Sequence, residues 1–160
     1  MITQSFLKVA DVRADLGGAE GSHVQKFVLR KKVVIVGDEC VGKTSLVQSF
    51  ESMGSNCPKH YIMTFGVELS VKEVNILNTN VSVDLHLYTT GGQSIVNQRE
   101  MSSPYWDKAN YVVCVFDIGS RRTFQNCTKW VMQVRGANQS EKLPCILIGN
   151  KADYRGAVRF

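Results

Sequence analysis

No stretch of this chain is long and apolar enough to span a bilayer, and no pair of its cysteines has metal-binding spacing. The five cysteines, Cys40, Cys57, Cys114, Cys127 and Cys145, include no CxxC pair. Three of them fall in apolar segments, so reduced, buried thiols in a cytoplasmic protein are expected. The N-terminus has no signal-peptide core, because Lys8, Asp11, Arg13 and Asp15 interrupt it, and its acids argue against a mitochondrial presequence. Ala157-Val158-Arg159-Phe160 holds no prenylatable cysteine, so no direct membrane anchor is expected. Charge of one sign is not concentrated either. Lys and Arg outnumber Asp and Glu 19 to 14, a net +5 that is scattered rather than striped, which speaks against a nucleic-acid surface. What remains is an ordinary globular balance: 160 residues, 44% apolar and 21% charged, enough for one domain with its own core.

Against that plain background one octet stands out, Gly37-Asp38-Glu39-Cys40-Val41-Gly42-Lys43-Thr44. It has two glycines spaced for a phosphate-binding loop, then Lys and a hydroxyl residue. Glycine lets the backbone turn so that its N–H groups converge on phosphate oxygens. Lys43 adds a positive charge for the β- and γ-phosphates, and the Thr44 hydroxyl is a hard oxygen suited to Mg²⁺. The flanks agree with this reading. Val33-Val34-Ile35-Val36 is a continuous apolar run, as a buried parallel strand requires. Leu46, Val47, Phe50 and Met53 recur at helical spacing, with Gly54 placed to end the helix. Strand, glycine loop and helix together present a helix N-terminus to an anion.

Elsewhere, residues 1–26 are predicted to be a flexible arm, with a docking helix through Phe6, Val9, Ala10 and Leu16 as the alternative. Residues 54–65 show no periodicity and contain Pro58, so they read as a loop. Val67, Leu69 and Val71 alternate with Glu68, Ser70 and Lys72. After Asn78-Thr79-Asn80, Val81, Val83, Leu85 and Leu87 alternate with Ser82, Asp84 and His86. This predicts an antiparallel hairpin with one wet face, on which His86 is a surface residue. A second glycine turn lies at Thr89-Thr90-Gly91-Gly92-Gln93. Tyr111–Phe116 and Cys145–Ile148 read as further buried strands, and Phe124, Cys127, Val131 and Val134 mark a helix between them. Alternating strands and helices predict an α/β fold with a mainly parallel sheet and ligand loops at the strand C-termini.

At the last such end stands Asn150-Lys151-Ala152-Asp153, an NKxD signature whose carboxylate can accept from both N–H donors on one edge of guanine. With this quartet, the phosphate loop, Tyr61, Thr64-Phe65-Gly66-Val67-Glu68, Gln93, Phe116-Asp117 and Thr123-Phe124, residues 27–153 resemble the Rab branch of the Ras-like small GTPases. Met63–Glu68, Val81–Leu85, Trp106 and Asn126-Cys127-Thr128-Lys129-Trp130 resemble the Rab-like GTPase subunits of intraflagellar transport complex B, which also lack a prenylated tail.

The resemblance implies a P-loop G domain over residues 27–160, cut short of the family's last strand and helices. It implies GTP or GDP held by Gly37, Asp38, Glu39, Cys40, Val41, Gly42, Lys43, Thr44, Ser45, Thr64, Gly92, Asn150, Lys151 and Asp153. Mg²⁺ would be ligated by Thr44 and Thr64, and Gln93 would orient the water in any hydrolysis. Implied partners are other subunits of complex B, including a small β-rich one, in the cilium or flagellum. Two residues depart from the pattern. Thr89 replaces the family's aspartate that holds a metal-bound water, and Glu39 puts a carboxylate on the phosphate loop. They keep a second expectation open, a structural pseudo-GTPase that binds nucleotide poorly; a Rab of vesicle traffic is a third.

Overall fold

The computed structural model describes residues 26–55, 64–92, 104–140 and 142–153. Its elements run β1 (Phe27–Val36), α1 (Lys43–Glu51), β2 (Val67–Asn75), β3 (Val81–Thr90), β4 (Tyr111–Asp117), α2 (Arg121–Ala137) and β5 (Cys145–Asn150). The strands form one sheet in the order β2-β3-β1-β4-β5. β1 pairs in parallel with both β3 and β4, β4 pairs in parallel with β5, and only β2 runs antiparallel, against β3. The expected α/β architecture with one antiparallel hairpin is present.

The run Val33–Val36 sits at the centre because it is apolar at every position and therefore serves both faces of the sheet. Val33 and Ile35 join Leu87, Val113, Val115 and α1's Val47 in one core. Val34 and Val36 join Cys114, Trp106 and α2's Cys127, Trp130 and Val134 in the other. Alternate residues of one strand thus place α1 and α2 on opposite sides. Trp106 and Trp130 are both 0% exposed and anchor the second core.

Four expectations need correction. In β2 the apolar residues were expected to point inward, yet Leu69 and Val71 are 52% and 53% exposed. The helix-facing side is taken by Ser70 and Lys72, which pair with Leu87 and Leu85 of the first core, and Lys72 Nζ reaches the end of α1 at Glu51 O, 2.7 Å. Secondly, the polar face of β3 is less open than its alternation suggests: Ser82 is buried, and Asp84 and His86 are half-buried. Thirdly, α1 closes earlier than its apolar spacing suggests. Ser52 Oγ donates to Gln48 O and Met53 turns left-handed at φ 52°, leaving Met53 exposed. Lastly, β5 is buried on neither face completely, because among the described residues only β4 pairs with it. Ile146 and Ile148 turn toward the first core, while Leu147 and Cys145 are exposed. Cys114 and Cys127 are buried free thiols, as expected; Cys145 and Cys40 are exposed ones, and Cys57 lies outside the described residues.

Candidate functional site

The loop Gly37–Gly42 carries the chain from the C-terminal end of β1 to the first turn of α1. Three of its residues take left-handed or related φ values, Gly37 at 144°, Cys40 at 59° and Gly42 at 92°. Gly42 is the N-cap, so no side chain caps the first turn of α1, and that turn holds no acidic residue. Its backbone N–H groups and the positive end of the helix are therefore left for an external anion.

Neighbouring elements grip this loop closely enough that side chains are excluded. A Cβ on Gly37 would stand 2.1 Å from the Val115 carbonyl oxygen of β4. One on Gly42 would meet Asn150 Nδ2 at 2.3 Å, and one on Gly92 would meet Glu39 N at 2.2 Å. Asn150, the last residue of β5, donates from Nδ2 to Val41 O at 2.8 Å. Lys151 follows in a left-handed conformation, φ 66°, and turns its ammonium to Asp117 Oδ2, also 2.8 Å. Burial raises the Asp117 pKa, but the Lys151 ammonium and the Gly119 N–H outweigh it and hold the carboxyl below its ordinary value. Asp153 is exposed two residues further on.

Lys43 is only 6% exposed, and its Nζ donates to Gly37 O at 2.9 Å and to Asp38 O at 2.7 Å. Burial lowers its pKa to about 8, with Asp38, Cys40 and Glu39 pulling the other way. Both of its acceptors are neutral carbonyl oxygens, so burial outweighs the pull of the surrounding charges. Its charge is penalised in the folded protein at every pH below about 8, and the penalty is relieved as pH rises from there toward the unfolded value. Stability is thus expected to rise between pH 8 and 10.5 by about 3 kcal/mol more than in Lys43→Met. Denaturation midpoints of the two proteins across that range check this; parallel curves would show that Lys43 carries no such penalty.

Thr44 on α1 and Thr64 before β2 bring their hydroxyls to 2.8 Å from one another. Thr89, 2% exposed at the end of β3, follows Leu87 on the side that faces α1 and pairs with Ile35. Thr90 faces away and donates to Ile35 O at 3.2 Å. Ser45 lies half-buried in the first turn of α1, and Glu39 is exposed. The fold therefore brings together Gly37 to Ser45, Thr64, Gly92 and Asn150, with Lys151 and Asp153 directly following. Gln93 and Tyr61 lie outside the described residues.

Sequence reasoning overlooked three supports of the site: Asp117 under Lys151, and Asn126 and Trp130 of α2. Asn126 Nδ2 and Trp130 Nε1 donate to the two carboxylate oxygens of Asp38 at 2.8 and 2.7 Å. Asp117 had a signal, since it ends a buried parallel strand where ligands gather. Nothing in the spacing of Asp38 and α2 reveals the other two.

The Ras family profile matches residues 32–159. The chain belongs to the Ras family. This family's fold is that of guanine-nucleotide-binding proteins, which accords with a phosphate loop and an NKxD quartet meeting through Asn150. Within the family the chain is 39% identical to intraflagellar transport protein 27 homolog of Mus musculus, over 80% of this chain and 68% of that protein. It is 39% identical to intraflagellar transport protein 27 of Chlamydomonas reinhardtii over 78% of this chain and 61% of that one. Ras-related protein Rab-7L1 of Rattus norvegicus is 34% identical over 76% of this chain and 59% of its own length. The Rab-like resemblance read from the motifs therefore holds for this Ras-family chain. No helix among its described residues is long and apolar enough to cross a membrane.

Proposed function

We propose that this chain is a Rab-like guanine-nucleotide-binding subunit of intraflagellar transport, acting in cilia or flagella with other subunits of complex B, a small β-rich one among them. The transport role rests on the similarity to intraflagellar transport protein 27 in animals and in Chlamydomonas reinhardtii. The nucleotide reading is carried by the 2.8 Å bond from Asn150 Nδ2 to Val41 O, which joins two signatures 109 residues apart into one site.

In this reading the N–H groups from Glu39 to Ser45 hold the phosphates, Lys43 supplies the positive charge, and Asp153 accepts from the guanine edge. Lys151, pinned by Asp117, fixes the turn that carries Asp153 beside the base. Gln93, next to Gly92, orients water for hydrolysis. Thr44 and Thr64 are the metal ligands. Their hydroxyls are hard oxygens without charge, and no cluster of three His, Cys, Asp or Glu side chains able to hold a metal exists among the described residues. The site therefore fits a Mg²⁺ that arrives with phosphate oxygens and keeps several waters. When bound, the ion neutralises phosphate charge.

Displacement of bound fluorescent GDP tests the reading: GDP and GTP should displace it and ATP should not. Equal displacement by ATP would contradict it. One observation favours a second reading, a structural subunit with weak nucleotide affinity. Thr89 occupies the buried end of β3 where the family pattern has aspartate, so it would offer a metal site a neutral hydroxyl in place of a charge. Thr89→Asp is accordingly expected to tighten Mg²⁺ about tenfold or more in the nucleotide-bound protein. Unchanged Mg²⁺ affinity in a titration would show that Thr89 does not address the metal.

A further inference from the structure

Asp38 is an acid placed in a loop whose purpose is to receive anions, and its carboxylate is fully engaged from one direction. Trp130 Nε1 donates to Oδ1 at 2.7 Å and Asn126 Nδ2 donates to Oδ2 at 2.8 Å. The two donors stand four residues apart, hence on one face of α2. That helix is 17 residues long and is seated on the sheet by Cys127, Trp130 and Val134. The indole N–H is a donor only, and of the two fully buried tryptophans Trp130 is the one whose N–H reaches an acceptor among the described residues. The backbone of the same Asp38 has a separate task, since its carbonyl accepts from Lys43 Nζ at 2.7 Å. One residue therefore connects a rigid helix, through its side chain, to the lysine of the phosphate loop, through its main chain.

We infer that Asn126 and Trp130 are positioning residues for the phosphate loop, acting through Asp38. The clamp also holds both carboxylate oxygens of Asp38 toward α2. Without it the carboxylate is released, and the carbonyl that aims Lys43 loses its anchor. This assignment rests on the guanine-nucleotide reading above, and it goes beyond it by naming residues that touch neither nucleotide nor metal.

The test is the release rate of N-methylanthraniloyl-GDP from the full chain, measured beside thermal stability. Trp130→Phe keeps most of the ring volume and deletes one donor. Asn126→Asp sets a second carboxylate against that of Asp38, acceptor against acceptor, which no rotation of either side chain repairs. Both are expected to speed release on the order of tenfold, the scale seen when groups that orient ligand-holding residues are lost. The exchange Asp38→Asn with Asn126→Asp swaps donor for acceptor and lets both bonds form again, so release should return to within about twofold of the unmodified protein. Val134→Ala, buried on the same helix but remote from Asp38, should lower stability and leave release unchanged. Rescue by the exchange, with Val134→Ala silent, supports the clamp. Equal release across the series, or acceleration in Val134→Ala matching that in Trp130→Phe, overturns it while the nucleotide reading stands. Unmodified protein that holds no labelled GDP overturns both.

Discussion

Gly37→Ala is expected to cost about 3–5 kcal/mol, a large part of the roughly 5–15 kcal/mol that holds a domain of this size together. The added methyl would stand 2.1 Å from the carbonyl oxygen of Val115 and 3.2 Å from its carbon. Neither atom can swing aside, since both belong to the backbone of β4, which pairs with β1 at Val36 and Cys114 one residue away. The φ of 144° adds a second cost, because side chains seldom accept that region. Relief requires prising β1 from β4 at the centre of the sheet, where both cores meet. A large fall in denaturation midpoint is the expected readout. Gly136→Ala is the contrast: nothing lies within 4 Å of its added methyl and its place is inside α2, so it should gain about 0.5–1 kcal/mol. A Gly37→Ala protein as stable as the unmodified one would mean that β1 and β4 are not packed as described.

The second large effect concerns the base rather than the fold. Asp153 is exposed just beyond β5, so its replacement should leave stability nearly unchanged. Its carboxylate has only acceptors to offer, and guanine presents two N–H donors on one edge. Asp153→Asn replaces one acceptor with a donor, setting donor against donor. GTP affinity should fall about 10- to 100-fold, the scale of one polar partner left unpaired, while ATP affinity stays low. Competition binding with both nucleotides reads this directly. If Asp153→Asn binds GTP as well as the unmodified protein, Asp153 does not contact the base.

The parts of the fold and site that could be read in advance are those where one local rule decides the outcome. Val33–Val36 is apolar throughout, and only a strand buried on both faces satisfies it. The glycines of the loop mark backbone that must bend or be approached closely, as the contacts at Gly37 and Gly42 show. Asn150 ends β5 and Asp153 follows it, at the strand end where ligands collect. The features that escaped depend on which elements become neighbours. Leu69 and Val71 alternate correctly, but alternation cannot say which side α1 will cover, and Lys72's reach to Glu51 O decides it. Cys145 and Leu147 lie in an apolar run whose exposure follows from β5 having a single described neighbour. The hold of Asn126 and Trp130 on Asp38 spans the interval from loop to α2. Trp130 reads simply as core until its nitrogen is seen 2.7 Å from a carboxylate.

The central claim, that the joined loop and NKxD quartet hold a guanine nucleotide, is tested most directly by what the purified full chain carries. Protein prepared in the presence of Mg²⁺, freed of unbound nucleotide and then denatured should release GDP or GTP at close to one equivalent, identified by chromatography. Release of adenine nucleotide, or of no nucleotide even after incubation with excess GDP and Mg²⁺, would contradict it.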